Sequence, residues 1–175
     1  MKFNDLLIDG YTRISEIVER SLKGLTVEDI KWLPHPESNS IGWLIWHLSR
    51  VQDDHIASLM NQEQLWIKDG WYVKFGREND PRDRGFGHTP EQVAAFEFPA
   101  IEVLLEYHRA VAERSKSYIR SLSETDLDVE LNEPQYTPLP TVGVRLVSVL
   151  SDNLQHAGQA AYVRGMLQGR GWQQF

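Results

Sequence analysis

Asp152 and His156 stand four residues apart in Val147-Ser-Val-Leu-Ser-Asp-Asn-Leu-Gln-His-Ala-Gly-Gln-Ala-Ala-Tyr-Val163, a stretch that is otherwise mostly apolar. On a helix of about 3.6 residues per turn, positions four apart fall about 40° from superposition. The carboxylate and the imidazole then share one face, the geometry of a two-point grip on a metal ion. His156 also shares its face with Val149, Ala160, Val163 and Leu167, so in a packed bundle it points inward. A lone inward imidazole is more commonly a hydrogen-bonded core residue than a ligand, and Asp152 shifts that balance. Burying a carboxylate is expensive unless something positive pairs with it. The candidates are a metal ion, Arg145, Arg50, or protonated His156 itself.

The other histidines sort by their surroundings. His47 stands beside Trp43 and Asp54 at the edge of an apolar stripe, while His55 falls nearer the centre of that stripe, and periodicity alone leaves the choice between them open. His108 lies on an apolar stripe with no carboxylate three or four residues away, which makes it a structural residue. His35, between two prolines, and His88, in a glycine-rich segment, are expected to be exposed or capping. Two histidines and one aspartate suit zinc, nickel, iron(II) or manganese. Three protein ligands leave coordination positions open for water or substrate, as catalytic sites do.

The elements that must position these groups are helices. Residues 2 to 22 carry Leu6, Leu7, Tyr11, Ile14, Ile17, Val18 and Leu22 at three-and-four spacing. A short capped piece, Leu25 to Ile30, ends before Pro34 and Pro36. Ser38-Asn39-Ser40 caps a second long helix from Ile41 to about Asn61. Residues 67 to 88 have four glycines and no period, and the aromatic residues in and beside them, Trp66, Trp71, Tyr72, Phe75 and Phe86, predict an ordered cover. Thr89-Pro-Glu-Gln92 starts a short helix. A third long helix spans Ile101 to Leu122. Leu122 to Leu127 then echoes Leu25 to Ile30, and after Pro134, Pro138 and Pro140 a fourth helix runs from a Thr141 cap to about Gln168. The pattern predicts an all-α protein: two helical hairpins forming a four-helix bundle with long crossover loops, one domain over 1–175.

Composition sets the outer bounds. At 175 residues, 41% apolar and 25% charged, the chain can bury a core without staples. The net charge of −7, with lysines and arginines scattered, excludes nucleic acid as a partner. No apolar run reaches membrane-spanning length and no signal peptide is evident, so a cytoplasmic location is expected. There is no cysteine, so any thiol chemistry needs a thiol from outside. The helices are apolar around much of their girth, from which pairing with a second copy as a homodimer is expected.

The segments Trp43-Leu-Ile-Trp-His47-Leu, Val51-Gln-Asp-Asp-His55, Gly85-Phe-Gly-His-Thr-Pro-Glu-Gln-Val93 and Asp152-Asn-Leu-Gln-His156-Ala-Gly-Gln159 together resemble the DinB-like superfamily, which includes mycothiol-dependent maleylpyruvate isomerases and bacterial thiol transferases. The resemblance covers nearly the whole chain. It implies His47, Asp152 and His156 as ligands of a divalent metal, with aspartate where many members have histidine or the longer glutamate. It favours His47 over His55 and makes Asp54, His55 and Gln159 supporting or pocket residues, with Trp43 and Trp71 lining the site. The implied activity is a metal-dependent transferase or isomerase that joins a low-molecular-weight thiol to a small electrophile. A hydrolase using the same ligands, or a non-catalytic binding bundle of the stress response, is the alternative.

Overall fold

Four long helices carry the chain, and two of them begin at hydroxyl caps. In the computed structural model, which describes residues 2–169, 171 and 172, they are α1 (Phe3–Leu22), α3 (Ile41–Leu59), α7 (Ile101–Ser121) and α8 (Val142–Gln168). The outermost positions of the expected 1–175 domain lie outside the described residues. The Ser40 hydroxyl accepts from the Trp43 amide and the Thr141 hydroxyl from the Val144 amide, so α3 and α8 begin where the sequence predicts. Between the long helices lie the short α2 (Val27–Lys31), α4 (Leu65–Lys68), α5 (Trp71–Lys74) and α6 (Pro90–Ala94), and a 3₁₀ turn at Glu124–Asp128. Thr26 with Asp29 and Ser123 with Asp126 form matching capping boxes, which is the physical content of the internal echo. The segment read as irregular over 67 to 88 thus contains helical turns at its start. Among the described residues the strand content is one bridge, Glu130 with Thr141.

Cross-helix bonds fix the directions. Asn4 donates to the Ile119 carbonyl (2.6 Å) and Arg109 meets Glu19 (2.7 Å), so α1 and α7 are antiparallel. Tyr11 meets the Leu146 carbonyl (3.3 Å) and Arg164 the Lys23 carbonyl (2.7 Å), so α1 and α8 run parallel. Ser49 with His108 and Gln52 with Ser115 align α3 parallel to α7, and α3 packs antiparallel to α8. The hairpins α1/α3 and α7/α8 therefore interleave, each helix packing chiefly on the two helices of the other hairpin.

The core is aromatic at one end, where Trp46, Trp66, Phe75, Phe96 and Tyr107 pack edge to face or tilted. A polar line crosses its middle: Asn153 donates to Gln52 (2.5 Å), which donates to Ser115 (2.7 Å). His108 is buried between Ser49 and Ser15, and burial pushes its imidazole down to about 4, so it is a neutral core residue. The outward face of α8 leaves Val144, Val147, Leu154, Tyr162 and Met166 exposed. Among the described residues no helix is long and apolar enough to cross a membrane.

Candidate metal centre

The second turn of α3 faces the middle of α8, and there His47, Asp152 and His156 converge, with donor atoms all within 4.8 Å of one another. His47 is buried, with 6% of its surface exposed, while Asp152 and His156 sit at the rim. The two imidazole rings meet edge to face with centroids 4.8 Å apart.

Each histidine is held by its other nitrogen. Nδ1 of His47 lies against the Arg84 carbonyl, an acceptor only, so Nδ1 carries the proton and Nε2 offers its lone pair. Nδ1 of His156 donates to Oε1 of Gln159 at 2.7 Å, one turn further along α8, and this again leaves Nε2 free. Carbonyl and amide oxygens behind ligating imidazoles are the usual means of fixing tautomer and ring angle. Trp43 stacks on His47 at 4.7 Å and 9°, and its indole N–H donates to Nδ1 of His88 at 3.2 Å.

The donors fit a shared ion. Atoms bound to a tetrahedral ion at about 2.1 Å stand about 3.4 Å apart. The 3.5 Å between His156 Nε2 and Asp152 Oδ1 already matches that edge. The widest pair, at no more than 4.8 Å, closes by about 1.4 Å. Asp152 Oδ2 is buried with no hydrogen-bond partner among the described residues. Neither candidate arginine reaches it. Arg145 is engaged by His55 and Glu133, and Arg50 by Asp53, Gln64, Tyr107 and the Pro81 and Asp83 carbonyls. The short aspartate arm therefore reaches the site, and its counter-charge among the described residues is His156. Burial lowers the His47 pKa against the opposing pull of the Arg84 carbonyl, which keeps the ring neutral. The hydrogen bond to Asp152 raises that of His156 against desolvation.

Several expected neighbours stand elsewhere. His55 belongs to another cavity and bonds Arg145 at 2.7 Å. Its helical angle is close to the stripe, but eight residues place it about 12 Å along the axis from His47. Asp54 acts at one remove: it pairs with the Arg84 guanidinium, whose backbone carbonyl holds His47, and accepts from Gln64 at 2.6 Å. Trp71 packs on Tyr107, centroids 5.4 Å apart, under a Lys74 ammonium, so it is a core residue of the cover. His88, expected at the surface, is half-buried, stacked on Trp46 and 3.5 Å from Asp83.

Sequence reasoning also passed over the two residues that bring the cover to the site. Arg84 acts through its carbonyl, which no side-chain pattern reveals. Gly85 has φ +82°, and a Cβ there would lie 2.7 Å from Trp43 and 2.8 Å from Trp46. The glycine density of the segment was its signal, and the close approach is what that glycine permits. Arg50 anchors the same strand of cover from below through the Pro81 (3.0 Å) and Asp83 (2.9 Å) carbonyls.

Fold and site define an α-helical bundle with a two-histidine, one-aspartate cluster between facing helices. The chain belongs to the DinB superfamily, whose family model matches residues 11–160. It is similar along nearly its full length to a conserved protein of Enterococcus faecalis known from a crystal structure, with 32% identity, 97% of this chain and 99% of that one covered, and a TM-score of 0.89. No curated protein matches it.

Proposed function

We propose that His47, Asp152 and His156 hold a divalent metal ion and that the protein is a metal-dependent transferase or isomerase acting on a small electrophile with a low-molecular-weight thiol. The observation that carries this reading is the convergence of two imidazole Nε2 atoms, each with its Nδ1 already committed, on a carboxylate that among the described residues has no cationic partner beyond His156. Imidazole ligands favour zinc, nickel, iron(II) or manganese over oxygen-seeking ions. A bound ion would supply Lewis acidity, lowering the pKa of a thiol or water placed beside it.

The chain's own residues do the rest. Arg84 and Gln159 orient the two imidazoles, and Trp43 covers His47 and keeps water from its inner side. Asp152 and His156 face the rim, where a second reactant has access. The chain has no cysteine, so the nucleophilic sulfur in this reading comes from a co-substrate.

Metal analysis of untagged protein tests the first half. Near-stoichiometric metal is expected in wild type and little in a His47→Ala, His156→Ala double variant; equal metal in both would refute the site. The second half is tested by following loss of small electrophiles with mycothiol, bacillithiol or glutathione. Consumption that depends on both metal and thiol is expected. Thiol-independent turnover makes the protein a hydrolase, and no turnover makes it a binder.

A further inference from the structure

His55 is the one histidine of α3 that the metal site leaves unused, and it lines a cavity of about 480 Å³ between the first turns of α8 and the proline-bearing segment before it. Leu139, Pro140 and Val144 form apolar walls, and Arg145 and Ser148 supply polar ones. The walls are preformed. Leu131 N–H donates to the Pro140 carbonyl (2.8 Å) and Val142 N–H to the Val129 carbonyl (3.0 Å), which staples the two ends of the segment together. Apolar walls with a few placed polar groups are the mark of a small-molecule site.

The polar groups specify what fits. An Arg145 N–H donates to Nδ1 of His55 at 2.7 Å, so His55 is neutral and carries its proton on Nε2, a donor of fixed tautomer. Burial and the Arg145 charge both lower the His55 pKa, in keeping with that state. Arg145 is itself met by Glu133, so its charge is already answered within the protein. His55, with its proton on Nε2, and Ser148 both line the cavity, so its lining includes two neutral polar groups beside apolar surface. Ser148 lies one turn, about 6 Å, before Asp152 on α8, and His55 two turns, about 12 Å, beyond His47 on α3.

We infer that this cavity is the recognition subsite for an uncharged carbonyl compound with an apolar body, a role that rests on the metal-dependent reading above. The carbonyl oxygen accepts from His55 and Ser148, the body lies on Leu139 and Val144, and the reacting atom extends along α8 toward Asp152. Substrates then carry an acceptor roughly 6 to 12 Å from the atom that reacts.

Acetophenone, a neutral aromatic ketone, is the probe, with benzoate as its charged counterpart. Binding to the metal-free full chain is followed by the imidazole nitrogen resonances and, for every variant including His55→Phe, by calorimetric titration. Acetophenone is expected to shift His55 saturably and to bind more tightly than benzoate. His55→Phe, which keeps a ring and removes the donor, is expected to weaken acetophenone about tenfold. Leu139→Trp, on the more exposed segment, fills the cavity and is expected to abolish binding even if the α3 variant folds poorly. Both variants are expected to keep wild-type zinc affinity, and the His47→Ala, His156→Ala variant to lose zinc and keep acetophenone. No saturable shift of His55, equal binding of benzoate, or wild-type binding in Leu139→Trp overturns the subsite. Failure of the wild type to take up zinc, measured in a separate titration, overturns the metal reading instead.

Discussion

At the scale of the residue, the proton on His156 would compete with a metal held as proposed. Its hydrogen bond to Asp152 raises its pKa, so in the metal-free protein the ring is protonated over a wider range than an ordinary imidazole. Nε2 can ligate only after that proton leaves. Below the raised pKa each metal ion must expel a proton, and affinity falls about tenfold per pH unit; above it the dependence flattens. Asp152→Asn removes the largest cause of the upward shift together with a charged donor. Zinc titrations from about pH 5 to pH 8 are expected to show weaker binding throughout, with the break moved to lower pH than in wild type. A break that stays in place would mean that Asp152 does not govern the proton on His156. His47 is kept neutral by burial and is expected to add no such break above it.

At the scale of the element, the cover and α3 form one positioning device. Asp53 accepts from the amides of Leu65 (2.9 Å) and Trp66 (2.8 Å) at the start of α4, and Arg50 holds the Pro81 and Asp83 carbonyls, so both ends of the cover are pinned to one face of α3. Pinning brings the Arg84 carbonyl onto His47, and Gly85 lets the chain pass over Trp43 and Trp46. Gly85→Ala combines a left-handed backbone with a methyl pressed against two indoles, and is expected to cost about 2–4 kcal/mol. Gly87 has a similar φ of +80° but open space around it, so Gly87→Ala is expected to cost only about 1 kcal/mol. Displacing the Arg84 carbonyl is expected to lower metal affinity roughly ten- to a hundredfold in the first variant and leave it unchanged in the second. Urea melts and zinc titrations of the pair check this, and equal affinities would remove the cover from the site. Only part of this element was readable from sequence. Caps at Ser40 and Thr141 and the spacing of Asp152 and His156 are local signals, and they located α3, α8 and two of the three clustered side chains. The path of the cover is a tertiary matter, set by Arg50, Asp53 and a backbone carbonyl, so Trp71 and His88 could not be placed. His55 stands two turns along α3 from His47, a distance that helical angle does not report.

At the scale of the whole molecule, the site joins the two hairpins: His47 belongs to the first and Asp152 with His156 to the second. The interleaved packing makes this cross-link matter, because α3 and α8 cannot separate without opening the bundle core that Trp46, Leu146 and Ala157 share with them. Donors drawn from distant parts of the chain are not assembled in the unfolded state, so a metal held as proposed would bind the native state alone and its binding free energy would become stability of the fold. At free metal about a hundredfold above Kd, that stabilisation is about 2.7 kcal/mol, which for a domain of this size raises Tm by roughly 5 to 10 °C. The rise is expected with zinc or nickel, to be reversed by chelator, and to vanish in the His47→Ala, His156→Ala variant. A single unfolding transition should move as a unit, since both hairpins are held by the same contact. Calorimetry that shows metal shifting only part of a split transition would place the ion on one hairpin, and a shift that survives the double variant would place it at other residues altogether.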